Sequence, residues 1–515
     1  MTSKVFSATI CGLTAERIEV ECDIHTGLPA FTIVGLGDTS VQESKERIKA
    51  AIKNSGCTYP QNKKIVNLAP ADIRKHGPLF DLPIALSILV RSEQIPKNAL
   101  SNTLVVGELA LDGSVRRISG ALAMSECALK TGCTRIIVPK ENAIEASLIS
   151  GIECIGVSHL FEVVGILKGE INPQKIEEIK SNNNRQETPA FSAMLDDLDG
   201  NETIKRATII AAAGFHHILF HGAPGAGKST LARTLATIMP RLNELQALET
   251  TKIYSIAGLL NEATSLIDVP PFRSIHQSTP LTALIGGGTY AKPGEISLAH
   301  NGILFADELL EFPQATLDAL RQPLESGVIT VSRLTGGVDY PARFMFVAAT
   351  NPCPCGYYGD EEKRCTCLPN QRQRYLKKLS GPLLDRIDCV ISVPRRPIGD
   401  VFSEHAKEKK KSATETIIAL KQIVIARSMQ SRRGTLNGYL TRKQVDEFCP
   451  LSDSAQKILK TYFKNDLHSG RSITRTLKLA RTIADIEERD EIDENDITEA
   501  LSLSSETRYD KIRPT

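Results

Sequence analysis

GAPGAGKST, residues 222–230, is the stretch on which the reading of this chain turns. In its context, HHILFHGAPGAGKSTLARTLA, an apolar strand runs into a glycine-rich turn and then into a helix. The match to the phosphate-cradling pattern GxxxxGK[ST], the Walker A motif, is complete. Gly222, Gly225 and Gly227 let the backbone wrap so that its N–H groups face phosphate oxygens, with Ala223, Pro224 and Ala226 between them. Lys228 brings a cation to the β and γ phosphates, Ser229 offers a hydroxyl to Mg2+, and Thr230 ends the motif. The expectation is a site for ATP with Mg2+ on a P-loop α/β fold.

Working outward, GILFADELLEF is an apolar run that ends in Asp307 and Glu308. A buried strand of this kind delivers Asp307 beside the magnesium, and Glu308 can then orient or deprotonate an attacking water. A further strand, RFMFVAATN, ends in Asn351, a polar tip able to hold the same water. SGPLLDRIDCVISV follows, with Arg386 between two aspartates. Near the C-terminus, HSGRSITRTLKLARTIADI places Arg471, Arg475 and Lys478 on successive helical turns.

Length and composition set the frame. A chain of 515 residues exceeds one compact core. A net charge of +2 gives no overall basic field, so any nucleic-acid surface would have to be local. No run approaches the roughly 18 apolar residues of a membrane helix. MTSKVFSATICGLTAERIEVE turns charged too early for a signal peptide, so the cytoplasm is the expected compartment and no membrane partner is expected. Residues 1–168 alternate strand-like and helix-like runs, as an α/β unit does. Residues 169–190, with the SNNN tract, form the expected linker. Residues 191–395 hold the nucleotide chemistry, and 396–515 are helix-rich. Within the last block, EHAKEKKKSATE reads as a solvated face.

Of the 12 cysteines, four cluster in NPCPCGYYGDEEKRCTCLP: Cys353, Cys355, Cys365 and Cys367. Two C-x-C pairs flanking a glycine-rich loop can supply four thiolates to a tetrahedral zinc that stiffens an insertion over 353–367. The segment QRQRYLKK then adds a local basic patch, Arg372, Arg374, Lys377 and Lys378.

Together with PGEISLAHNGILFADEL, RQPLESGVITVSR, ATNPCPCGYYGD and SGPLLDRID, these motifs resemble the magnesium-chelatase-like AAA+ proteins of the ComM/YifB family over nearly the whole chain. Ala223 and Ala226 depart from the proline and serine frequent there, at positions where only the backbone matters. The resemblance implies an N-terminal Lon-protease-like domain, a central AAA+ module with hairpin inserts like those of MCM helicases, and a C-terminal helical lid. It implies an ATP-driven, homohexameric DNA helicase that promotes branch migration, acting on single-stranded and branched DNA during natural transformation, with recombination proteins as further partners. Asn351 then corresponds to sensor 1, Arg386 to an arginine finger serving a neighbouring subunit, and Arg471 to sensor 2, with Arg475 as the other choice. NLAPADIRKHGPLFDLPIAL and RRISGALAMSECALKTGCTRIIVP resemble the Lon segments that carry the serine and the lysine, but Leu79 and Leu122 stand at those positions. Aliphatic side chains neither attack a carbonyl nor accept a proton, so no peptidase chemistry is expected. Ring-helicase logic places DNA phosphates against Lys292, in IGGGTYAKPGEIS, and Arg333, in ESGVITVSRLTGGVDYPAR. With no tryptophan in the chain, extensive base stacking is not expected. Two other readings stay open: a magnesium-chelatase-type ATPase subunit, and a remodelling scaffold without helicase activity.

Overall fold

ILFH at 218–221, ILFA at 303–306 and MFVAAT at 345–350 are strands with every residue buried. Continuous apolar runs of this kind belong in a parallel sheet covered on both faces. In the computed structural model they are the centre of a five-stranded sheet in the order Phe272–Ile275, Ile303–Ala306, Met345–Thr350, Ile218–His221 and Cys389–Ser392. All four pairings are parallel. The structure describes residues 2–174, 195–197, 202–261, 266–288, 291–333, 336–360, 362–379, 381–395, 414–463 and 470–504. Most of the expected 169–190 linker, and all of the EHAKEKKKSATE segment before Thr414, lie outside these residues.

Period-two alternation divides the sheet residues between two cores. Ile218, Phe220, Phe305 and Val347 pack with the Glu202–Gly214 helix and, beyond it, with Ile423, Leu479 and Ile483 of the C-terminal helices. Leu219, Leu304 and Phe346 face the other way, onto Leu309, Leu384 and the hairpin residues Ile329, Val331 and Tyr340. That hairpin pairs Val328–Arg333 with Gly336–Pro341.

The C-terminal helices Thr414–Arg432 and Gly470–Ile486 do not cover the nucleotide motif, contrary to the expectation of a lid. They dock on the Glu202–Gly214 helix and under the amino ends of the sheet strands. Gln430 Nε2 donates to the Ala213 carbonyl at 2.9 Å, and Arg427 Nη2 to the Ala212 carbonyl at 2.7 Å. The physical reason is the buried face Ser472, Arg475, Thr476, Leu479 and Ile483. Its apolar members share a core with the helix that precedes the first strand.

The N-terminal unit is a seven-stranded mixed sheet in the order Ala30–Val34, Lys63–Ala69, Thr14–His25, Ser3–Cys11, Thr103–Val105, Arg135–Pro139 and Glu153–Val157. It touches the central module through polar contacts and through apolar ones, Leu13 packing against the core that holds the hairpin. Gly120 N donates to the Ser255 carbonyl at 3.0 Å, Ser255 Oγ bonds Glu145, and Lys252 pairs with Glu126. Gly12 sits against Val338 of the hairpin, where an added Cβ would lie 2.6 Å from the valine methyl.

Replacing the fully buried Phe346 by alanine should cost about 3–5 kcal/mol, read as an earlier urea transition. Leu245→Ala, at a residue 80% exposed, should leave the transition in place.

Candidate functional site

Strand polarity brings the nucleotide motifs together. The loop 222–227 follows His221, Asp307 follows Ala306, and Asn351 follows Thr350, so all three leave the carboxyl ends of adjacent parallel strands. Ligands of open α/β sheets bind in the crevice at those ends. Here the crevice holds about 350 Å3, lined by Pro224, residues 225–230, Asp307, Glu308, Thr350 and Asn351. Gly225 and Gly227 have φ of 78° and 84°, left-handed values that let the loop curl back before the Lys228–Thr237 helix.

Lys228 is buried, and its Nζ donates to the carbonyls of Gly222 (2.7 Å) and Ala223 (2.9 Å) and to Asn351 Oδ1 (3.0 Å). Burial lowers its pKa, while Asp307 and Glu308 oppose the shift. Ser229 Oγ donates to Asp307 Oδ2 at 2.8 Å. Two hard oxygen donors side by side suit a divalent cation such as Mg2+. Glu308 is exposed and has φ of 51° and ψ of 48°, the left-handed region, which costs a non-glycine residue backbone strain. His221, under the loop, is pushed down to about 4 by burial and by the nearby Lys228 cation.

Arg386 and Arg471 lie elsewhere. Both line a separate pocket of about 590 Å3 with Glu325, Asp385, Asp388 and Arg475. Arg386 pairs with Glu325 Oε2, and Arg471 Nη2 is 3.5 Å from Glu325 Oε1. This pocket is at the amino ends of the strands: Asp388 precedes Cys389, which is in register with Ile218. Arg471 therefore does not reach the cradle of its own chain, because its helix docks at the opposite end of the sheet. Arg475 is also occupied, with Nη1 donating to the carbonyls of Leu384 (3.0 Å) and Ile387 (3.1 Å), the turn that carries Arg386. Lys478 donates to the Gly438 carbonyl at 2.9 Å. Sequence reading gave no role to Asp388. Burial opposes its charge, yet His216 holds the carboxyl well below the usual range, and Asp388 accepts the His217 N–H at 3.0 Å.

The four cysteines converge, with their Sγ atoms all within 4.8 Å of one another. Cys353 Sγ lies 3.3 Å from Cys355 Sγ and 3.7 Å from Cys365 Sγ, and the latter two are 3.5 Å apart. With Zn–S bonds of about 2.3 Å, the edge of a tetrahedron is roughly 3.8 Å, so this donor set fits a tetrahedral thiophilic metal. Burial works against charge on Cys355, but the N–H groups of Tyr357 and Thr366 hold its thiol at about 5. The cluster abuts the cradle: a Cβ on Gly356, where φ is 85°, would sit 2.5 Å from the Pro224 ring. Arg374 and Lys377 of the basic patch are exposed, whereas Arg372 lies 4.0 Å over the Tyr358 ring and Lys378 donates to the Leu310 carbonyl at 2.9 Å.

Lys292 is exposed and lines a cleft of about 320 Å3 with His76, Leu79 and Arg117 of the N-terminal unit. Arg333 ends the Val328–Arg333 strand, opposite Gly336. Leu122 is fully buried and Leu79 faces the cleft. Among the described residues, no helix is long and apolar enough to cross a membrane.

Three family models match. Residues 194–401 match magnesium chelatase, subunit ChlI; residues 20–142 match subunit ChlI of Mg-chelatase; residues 413–504 match the C-terminal part of that subunit. The YifB protein of Salmonella typhimurium is 42% identical over 97% of this chain and 96% of its own length. Competence protein ComM of Haemophilus influenzae is 39% identical over 98% of this chain and 97% of its own. The magnesium-chelatase 38 kDa subunit of Cereibacter sphaeroides is 27% identical over only 32% of this chain and 52% of its own. Full-length identity of this order, carried by a chain whose central and C-terminal parts match the chelatase models, shows that the protein belongs to the magnesium-chelatase-like ComM/YifB family.

Proposed function

We propose that this chain is an ATP-hydrolysing AAA+ motor that works on DNA as a homohexameric ring, driving branch migration when incoming single strands are integrated during natural transformation. One observation carries the ring: the cradle and Arg386 leave opposite ends of the same parallel sheet. A four-residue strand spans roughly 13 Å at about 3.3 Å per residue. The arginine therefore meets a cradle only when a second chain presents one. Its partner Glu325 is largely exposed, so solvent screens their ion pair and a neighbour's phosphate can compete with that carboxylate for the guanidinium. Arg471 shares Glu325 and accompanies Arg386 to the neighbour.

Within the cradle, Lys228 exchanges its loop carbonyls for β and γ phosphate oxygens. Ser229 and Asp307 would hold a magnesium ion, which would supply positive charge against the developing phosphate charge. Glu308 takes the proton of the attacking water, and Asn351 fixes that water's position. Cys353, Cys355, Cys365 and Cys367 would hold a zinc ion that would stiffen the loop packed against Pro224. The N-terminal unit is Lon-like without a peptidase dyad, Leu79 and Leu122 standing in its place. Lys292 and Arg333 are the proposed phosphate contacts. Because Lys292 faces the N-terminal cleft, that unit shares the DNA path. Recombination proteins are its partners, in the cytoplasm. The ComM relative's name supports competence, whereas the ChlI matches favour a second reading, an ATPase subunit that drives a chelatase.

Single-stranded DNA should raise the ATPase rate, and the protein should displace a strand from a branched junction; neither effect would favour the chelatase reading. Lys228→Ala and Arg386→Ala should each lower turnover by about 10³ or more. Mixed rings of the two variants should regain activity, because some interfaces join an intact cradle to an intact arginine. No recovery on mixing would refute the shared site. Lys292→Glu and Arg333→Glu should each reduce the slope of log DNA affinity against log salt by about one. Protein prepared without chelator should carry on the order of one zinc per chain, lost in Cys365→Ser. Less than about 0.2 per chain by elemental analysis would rule the zinc site out.

A further inference from the structure

Beneath the sheet, at the ends of the strands away from the cradle, a further cavity of about 180 Å3, open to solvent past Arg241 and Arg343, lies between the central module and the C-terminal helices. Phe215, Arg241 and Arg343 line it from the module, Arg427 and Tyr439 from the helices. The Arg427 guanidinium lies 5.4 Å from the Phe215 ring centroid, and that of Arg343 lies 5.8 Å from the Tyr439 ring. Each guanidinium thus sits near a ring whose electron-rich face favours the cation, and the N–H groups not already bonded are left for a ligand.

One cation of this cavity has no carboxylate of its own. Among the described residues, Arg427 forms no ion pair with a carboxylate. One Nη donates to the Ala212 carbonyl, and its buried Nε has no hydrogen-bond partner. The buried Tyr439 hydroxyl has none either. Burial lowers the Arg427 pKa only to about 10, so it stays cationic at neutral pH. The two other arginines are exposed and have carboxylates near them, Arg343 feeling Glu249 and Arg241 pairing with Asp268, so the uncompensated cation is Arg427. A half-buried cation without a counter-charge, its Nε shut off from water, is costly, and a fork of guanidinium donors matches the oxygens of a phosphate.

We propose that this cavity is an anion site for a compact phosphate group, either inorganic phosphate or a terminal phosphate monoester. At about 30 Å3 per water it holds roughly six waters. That is ample for one phosphate and below the roughly 300–1,000 Å3 of sites that take whole small molecules. Arg343 and Arg427 grip the anion from its two sides, and the Tyr439 hydroxyl donates a third bond. A bound phosphate ties the C-terminal helices to the segment leading into the Met345–Thr350 strand, and so to Asn351 at that strand's far end. The site rests on no assumption about DNA, ring assembly or the chemistry at the cradle.

The test is equilibrium dialysis of radiolabelled inorganic phosphate against the full chain, with saturating ADP and Mg2+ to occupy the cradle. Saturable binding near one phosphate per chain is expected, and it should persist in Lys228→Ala. Arg427→Met and Arg343→Met should each weaken it by about tenfold or more, the loss of one charge-assisted hydrogen bond. Tyr439→Phe keeps the ring and the fold while removing one donor, and should weaken binding severalfold even if the arginine variants fold poorly. Displacement by a 5′-phosphorylated oligonucleotide, but not by its unphosphorylated twin, would identify a strand end as the source; no displacement would identify the free anion. Absence of saturable binding, or binding unchanged in both Arg427→Met and Tyr439→Phe, would overturn the proposal.

Discussion

Every strand of the central sheet runs in the same direction, and the rest of the molecule is arranged around that polarity. At the carboxyl ends the backbone turns outward in loops that present Lys228, Ser229, Asp307 and Asn351 to one crevice. At the amino ends the chain arrives from helices and turns, and there Arg386, Arg471 and Arg475 gather over Asp388. The sheet thus keeps two chemically distinct ends apart by the length of its strands. The docking of the C-terminal helices at the amino ends follows from the same arrangement. The helix that precedes the first strand buries a run of small residues, Ala207 and Ala211–Ala213, and a small-residue surface admits a second helix layer closely.

What was legible in the sequence was whatever is written contiguously. The cradle occupies nine successive residues, and Asp307 and Asn351 each end an apolar run, so one-dimensional pattern was enough to bring them together. The four cysteines were legible for the same reason. The placement of Arg471 was not. A helix with a good apolar stripe announces that it will be buried, but not against what, and the partner here is a helix far earlier in the chain. Lys292 sits in a glycine-rich loop with no periodicity, so nothing local signalled that it would face the cleft of the N-terminal unit. Arg241, Arg343 and Arg427 come from three separate elements, and only the folded chain shows that they share a cavity.

The N-terminal unit and the four-cysteine loop both touch the central module at sensitive places. Gly12 meets the hairpin at Val338, and Gly356 meets the cradle at Pro224. In both cases the missing side chain of a glycine lets a neighbouring side chain, the Val338 methyl or the Pro224 ring, pack onto its backbone, so movement on one side is transmitted across with little slack. The polar contacts between the units are few, Glu126–Lys252 and Glu145–Ser255 among them.

Glu308 illustrates a cost that the fold does not hide. Its backbone lies in the left-handed region, where a residue with a Cβ carries a penalty of about 1–2 kcal/mol and glycine carries none. Selection for thermal stability alone would therefore favour glycine at this position, and the crevice would lose a carboxylate from its lining. An engineer hardening this scaffold would meet the same temptation, because the most easily relieved strain sits on the carboxylate aimed at the crevice.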